Sequence, residues 1–139
     1  MASYTLQYSS VPESENLMLN DVLAILDKHQ VDKDTVNHLS LIVSEAFNNA
    51  VIHGNQKRPD LSVTLILHIN ETDISADVID EGQGGIKRIG SRNPPEPYSE
   101  GGRGIDLIHH FASEVTYTEL EEMGLKVSFR IKRLKKTIC

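Results

Sequence analysis

"LIVSEAFNNAVIHGN", Leu41 to Asn55, is the stretch that decides the fold. Val43, Ala46, Phe47 and Ala50 fall at i, i+3, i+4 and i+7, the spacing of a helix with one buried face. Val36 and Leu39 extend the stripe backwards, Asp32 or Asp34 can cap its start, and Gly54 is a natural stop. The same stretch carries Glu45, Asn48, Asn49 and His53. Asparagine is a poor helix former because its amide competes for nearby backbone groups, so two in succession require a compensating reason. On a helix, Glu45, Asn49 and His53 are successive i, i+4 neighbours lining one face beside the core stripe, with Asn48 on the flank. A carboxylate and an amide oxygen one turn apart suit a hard cation such as Mg²⁺, which takes oxygen ligands and keeps waters for a substrate's phosphates. A polar seam satisfied by loop backbone accounts for the same residues equally well.

Before this helix, "YTLQY" (Tyr4 to Tyr8) alternates as a short strand. Pro12 and Ser14 then prepare a helix over Glu15 to Lys28, with Leu19, Val22, Leu23, Ile25 and Leu26 as its apolar stripe. After the helix, "LSVTLILHI" (Leu61 to Ile69) and "DISADVID" (Asp73 to Asp80) are rich in β-formers and separated by a short polar turn, an antiparallel hairpin. From Glu81 to Gly104 the pattern gives way to glycine and proline for about two dozen residues, longer than compact domains carry without a functional reason. A helix over Ile105 to Phe111 follows, then the strand "EVTYTEL". In the last strand, "GLKVSFRIKR", Leu125, Val127, Phe129 and Ile131 alternate with Lys126, Ser128, Arg130 and Lys132, which predicts one dry and one wet face. This order of elements predicts an α+β chain: a two-layer α/β sandwich on a largely antiparallel sheet, with the helices on one side.

Two further constellations carry chemistry. In "VIDEGQGG", Asp80 stands at a strand end before Gly82, Gly84 and Gly85, an acceptor followed by backbone bare enough to pass close to a flat ligand such as a purine. A glycine-rich turn opened by an aspartate has the same appearance. In "GGRGIDLIHH", Gly101, Gly102 and Gly104 bring amides to a helix start, an anion site by geometry and dipole, or simply a pliant helix entry. There is no P-loop, and the nearest dinucleotide-type match fails at Lys87, where its third glycine would fall. No G-x-S-x-G occurs, and the six histidines show no metal-ligand spacing.

Composition narrows the rest. A chain of 139 residues is long enough for one domain that buries roughly 68% of its unfolded surface. With 20 acidic against 14 basic residues and a net charge of -6, it lacks the cationic footprint of a nucleic-acid binder. The only cysteine is Cys139, so no intramolecular disulfide forms, and a reducing cytoplasm is the expected home. No apolar run approaches the ~18 residues of a membrane-spanning helix.

Taken in order, E-x-x-x-N on a helix with H-G after it, D-x-G-x-G after a strand, a Pro-rich lid, and G-x-G opening a helix resemble the Bergerat ATP-binding fold of the GHKL superfamily. "SEAFNNAVIHG" and "GGRGIDLI" are most similar to the anti-sigma-factor serine/threonine kinases of bacterial partner switching, and the likeness spans Tyr4 to Arg133. It implies a single histidine-kinase-like ATPase domain over residues 1–139, with ATP and Mg²⁺ as cofactors. Glu45 would be the general base on the attacking hydroxyl and Asn49 the Mg²⁺ ligand. Asp80 would accept from the adenine amino group, with Gly82 and Gly84 permitting close approach. Gly102, Arg103 and Gly104 would lie at the phosphates, and His53 near the lid. The implied partners are a STAS-type anti-anti-sigma protein as phosphorylation substrate, a sigma factor held inactive, and a second copy in a homodimer. A nucleotide-dependent binding switch without phosphoryl transfer, and an interaction domain that takes no nucleotide, are the competing functions.

Overall fold

The computed structural model describes residues 1–82, 108, 111–120 and 124–134. Strand β1 (Ala2–Ser9) leads into helix α1 (Ser14–Lys28) and helix α2 (Lys33–Asn49), which continues as a π-helical turn over Ala50–Gly54. Strands β2 (Ser62–Ile69), β3 (Asp73–Ile79), β4 (Glu114–Glu119) and β5 (Leu125–Lys132) complete the described elements. The strands form one sheet in the order β1-β2-β3-β5-β4, and each pairing is antiparallel. The β2–β3 hairpin is the expected one, closed at Ile69 opposite Ile74. The crossover is not local. The chain leaves β3, returns at the far edge as β4, and comes back as β5 between the two, so the end of β3 lies beside the start of β5.

Alternation decides which face of the sheet the helices cover. Val63, Leu65, Leu67 and Ile69 of β2, Ile74, Ala76 and Val78 of β3, and Leu125, Phe129 and Ile131 of β5 are buried. Their neighbours Ser75, Asp77, Ser128 and Arg130 are opposed across the strands on the other face, which makes β5 dry on one side and wet on the other, as its pattern predicts. On α1 the buried line is Met18, Val22 and Leu26, an i, i+4 row. Leu23, counted in the stripe from sequence, lies off that row and is 42% exposed, while Leu19 and Ile25 flank it half-buried. On α2 the stripe gains Ile42 and Thr35, and Val36 drops to its margin.

Of the two candidate caps, Asp32 opens α2. Its carboxylate accepts from the Thr35 amide at 3.0 Å and the Thr35 hydroxyl at 2.6 Å. Burial alone would raise the Asp32 carboxyl, but these Thr35 bonds outweigh it and hold the group below the usual carboxylate range. Thr35 is also the acceptor for the Leu134 amide, at 3.1 Å, so the cap ties the end of the described chain to the helix start. Asp32→Ala should cost about 1 kcal/mol in chemical denaturation. Because the folded pKa is depressed, the parent should keep this contribution above the unfolded carboxylate pKa and lose it as pH falls through the folded value; an Asp32→Ala penalty that does not shrink on acidification would remove the assignment.

Candidate functional site

Helix α2 resolves the pair of asparagines into two different roles. Asn48 donates from Nδ2 to Glu15 Oε2 on α1 at 2.7 Å, and the Ser44 hydroxyl donates to the same oxygen. Asn48 is therefore part of the strut between the two helices. Asn49 is also half-buried, but its Nδ2 is fully shielded and has no hydrogen-bond partner among the described residues. A buried unpaired amide donor is costly and calls for an explanation, such as a ligand. Glu45 lies one turn before it on the same face.

His53 lies where the bonding of that row changes. It sits in the π-helical turn, where the bonding widens to i→i+5, as in the Asn55 amide donating to the Ala50 carbonyl at 2.8 Å. Gly54 also has a different function from the expected stop. It has no positive φ; the left-handed residues are Gln56 and Lys57, with φ of 54° and 59°. Gly54 is glycine because of what it touches: a Cβ there would stand 2.3 Å from Asp80 Oδ2.

Asp80 is 3% exposed at the end of β3. The crossover gives it a second backbone partner: its amide donates to the Leu125 carbonyl at 3.0 Å, and its Oδ1 accepts from the Leu125 amide at 3.2 Å and the Gly82 amide at 2.9 Å. Gly124 permits this approach with φ of +124°, where a Cβ would meet the Asp80 carbonyl at 2.3 Å. Gly82 packs on the helix end, since a Cβ on it would lie 1.7 Å from the Gly54 carbonyl oxygen. The end of α2 and the D-x-G segment are thus in direct backbone contact, beside a cavity of about 240 Å³ lined by Gly54, Asn55, Gln56, Arg58, Leu61, Glu81 and Gly82.

Of the residues singled out from sequence, Asp80 and Gly82 meet the helix end at Gly54, while Glu45 and Asn49 lie earlier on α2 and His53 in the π-helical turn. Gly84, Gly102, Arg103 and Gly104 lie outside the described residues, as do the Pro-rich lid and most of the helix expected over Ile105 to Phe111, of which Ile108 and Phe111 are helical. Three participants were missed. Glu15 carries no signal beyond a first-turn acid. Gly124 gave none beyond a glycine before a strand. Asn55 was visible only as an asparagine after a helix end, a residue type that bonds turns.

The residues fit a Mg–nucleotide on two observations: Asn49 has a shielded Nδ2 donor with no partner among the described residues and an amide oxygen able to ligate a hard cation one turn from Glu45, and Asp80 is a buried acceptor. No cluster of three or more His, Cys, Asp or Glu exists among the described residues. No helix among them is long and apolar enough to cross a membrane.

Comparison with known proteins gives the following. The family profile described as histidine kinase-like ATPase domain matches residues 8–131. An anti-sigma F factor of Oceanobacillus iheyensis is 28% identical over 138 residues, covering 96% of this chain and 93% of that protein. An anti-sigma F factor of Bacillus cytotoxicus is 26% identical over 127 residues, covering 88% and 86%. The crystal structure of the RsbU and RsbW domains of Rv1364c from Mycobacterium tuberculosis superposes with a TM-score of 0.71 at 14% identity, a likeness of fold. It takes in all of this chain, which spans 35% of the length of that one.

Proposed function

The chain belongs to the histidine kinase-like ATPase domain family, and from that premise we propose that it is an ATP-binding anti-sigma factor and protein serine/threonine kinase whose substrate is a STAS-type anti-anti-sigma protein. The observation that carries the reading is the contact of Gly54 and Gly82 around the Asp80 carboxylate, because it brings the metal-and-base helix and the purine-reading segment to one place. The anti-sigma F factors among its relatives support the choice of partner class.

In this reading residues 1–139 act as one domain. Asp80 would accept from the exocyclic amine of adenine, and Asn49 would hold Mg²⁺, which would supply charge neutralisation at the ATP phosphates. Glu45 would take the proton from the serine or threonine hydroxyl of the partner as that oxygen bonds to the γ-phosphorus and the bond from the γ-phosphorus to the β,γ-bridging oxygen breaks, with ADP leaving. Helix α2 is packed against the sheet and strutted by Glu15, so both side chains are held before the substrate arrives, the condition under which orientation lowers a barrier. Gly102, Arg103 and Gly104 complete the phosphate side, and His53 lies near the lid. A homodimer clasping one sigma factor is the assembly that follows.

The test is incubation with γ-labelled ATP, Mg²⁺ and a STAS-type protein encoded nearby, with sigma-factor binding followed in parallel. Label on a partner serine or threonine supports the kinase. Nucleotide-dependent binding without label would replace it with a pure switch. Analytical ultracentrifugation checks the dimer, which a monomer at high concentration would exclude.

Base preference supplies a second check. An exocyclic amine suits a carboxylate acceptor, whereas the guanine carbonyl would be repelled. In Asp80→Asn the amide oxygen can still serve the Gly82 and Leu125 donors, but the other terminal atom becomes a donor facing the base. ATP affinity should fall by about ten- to a hundred-fold, the worth of a charge-assisted hydrogen bond of roughly 1.5–3 kcal/mol. Calorimetry giving the parent's affinity would assign base reading to another group.

A further inference from the structure

We infer that Asn55 is the positioning residue that sets base selectivity, by anchoring the Asp80–Gly82 segment to the end of helix α2 and to the sheet. The inference rests on the ATP reading of the site and goes beyond it, since Asn55 belongs to none of the three motifs. Asn55 is 1% exposed, and its amide is used from both ends. Oδ1 accepts from the Glu81 amide, the residue after Asp80, at 2.8 Å. Nδ2 donates to the Ser62 carbonyl at the start of β2, at 2.9 Å, and to the Ser10 hydroxyl just after β1, at 3.0 Å. Its own backbone amide is bound by Ala50 in the π-helical turn. One side chain thus joins four segments that meet where Gly54 and Gly82 touch.

The backbone around it is shaped to deliver this side chain. The π-helical turn ends at Gly54, and Gln56 and Lys57 follow in the left-handed region, a conformation disfavoured for non-glycine residues that persists where the surroundings over-determine it. Glu81 adds a second link to the same strand start, its Oε2 accepting from the Ser62 amide at 2.5 Å. The β5 side holds Asp80 through Leu125, and on the helix side Asn55 supplies a side-chain bond to this segment. A carboxylate discriminates amine from carbonyl only while its oxygen stays in hydrogen-bond geometry, and that bond weakens steeply once the angle or distance drifts. Freed at Glu81, the segment can swing away from Gly54 and blur the distinction.

Three variants separate anchoring from general stability. Asn55→Ala removes every side-chain bond of the residue. Asn55→Asp keeps an oxygen for the Glu81 amide. Ser10→Ala removes a bond of the same cluster without touching Glu81. Two readouts are taken: amide exchange at Glu81 and Gly82 in nucleotide-free protein, referenced to the β2–β3 hairpin, and the ratio of ATP to GTP affinity by calorimetry. In Asn55→Ala, exchange at Glu81 should accelerate and the ATP/GTP ratio fall, each by about tenfold or more, the scale of one lost hydrogen bond. Asn55→Asp and Ser10→Ala should keep the ratio within about threefold of the parent. Unchanged exchange at Glu81 in Asn55→Ala, an unchanged ratio in it, or an equal loss in Ser10→Ala would overturn the assignment. If Asn55→Ala does not fold, loss of selectivity in Asn55→Asp overturns it and retention upholds it. A parent that binds neither nucleotide would refute the ATP reading, and the Glu81 exchange would still decide whether Asn55 is the anchor.

Discussion

Glu45→Gln should reduce phosphoryl transfer to the partner by about 10²–10⁴-fold, the usual worth of a positioned general base, while ATP affinity stays within about threefold. The substitution preserves shape and removes the basicity. A base acts on the proton of the attacking hydroxyl in the transition state and adds little to ground-state binding, so the loss should fall on turnover. Glu45 is half-buried on the face that carries Asn49, one turn away, and α2 is locked at this end by the Glu15 carboxylate gripping Ser44 and Asn48. Single-turnover transfer with saturating Mg–ATP, alongside nucleotide titration, separates the two effects. Turnover equal to the parent's would leave Glu45 with no part in proton transfer. A parallel fall in ATP affinity would make it a binding group.

Gly82→Ala should abolish nucleotide binding and destabilise the fold by about 1–3 kcal/mol, the usual cost of overpacking. The added Cβ would lie 1.7 Å from the Gly54 carbonyl oxygen and 2.3 Å from its carbonyl carbon, so backbone must move. The only ways out are to lift the Asp80–Gly82 segment or to push back the end of α2. The first breaks the Gly82 amide bond that orients Asp80 Oδ1. The second separates Asn49 from Asp80 and presses on Ala50 and Val51, which are buried. Thermal unfolding and calorimetry on the same preparation test this. A variant with the parent's melting temperature and ATP affinity would show that the helix end and the glycine segment are not in the contact described.

The residues of the site were legible where their signal was local. Glu45 and Asn49 stood out because α2 has a strong helical period in which any polar residue is conspicuous, and Asp80 because it ends a strand and precedes glycines. Glu15 was opaque, since its meaning depends on Ser44 and Asn48, 29 and 33 residues away. The helix type around His53 was opaque for a related reason: nothing in "AVIHG" announces the change to π-helical bonding. Gly54 was given the right residue type for the wrong cause, because a helix-stopping glycine and a glycine flattened against a carboxylate look alike in one dimension.

By itself the sequence determined the elements whose hydrophobic period closes within a few residues: both helices, the β2–β3 hairpin, the dry and wet faces of β5, and the order of motifs that the family shares. Periodicity settles these because burial of one face is the dominant free-energy term, and it is written into every few positions. Only the tertiary structure decided the strand order β1-β2-β3-β5-β4, the division of labour between Asn48 and Asn49, and the meeting of Gly54, Asn55, Asp80 and Gly82. Hydrogen bonds and close contacts between residues tens of positions apart depend on how the layers are brought together, and a polar side chain carries no mark of the partner it will find.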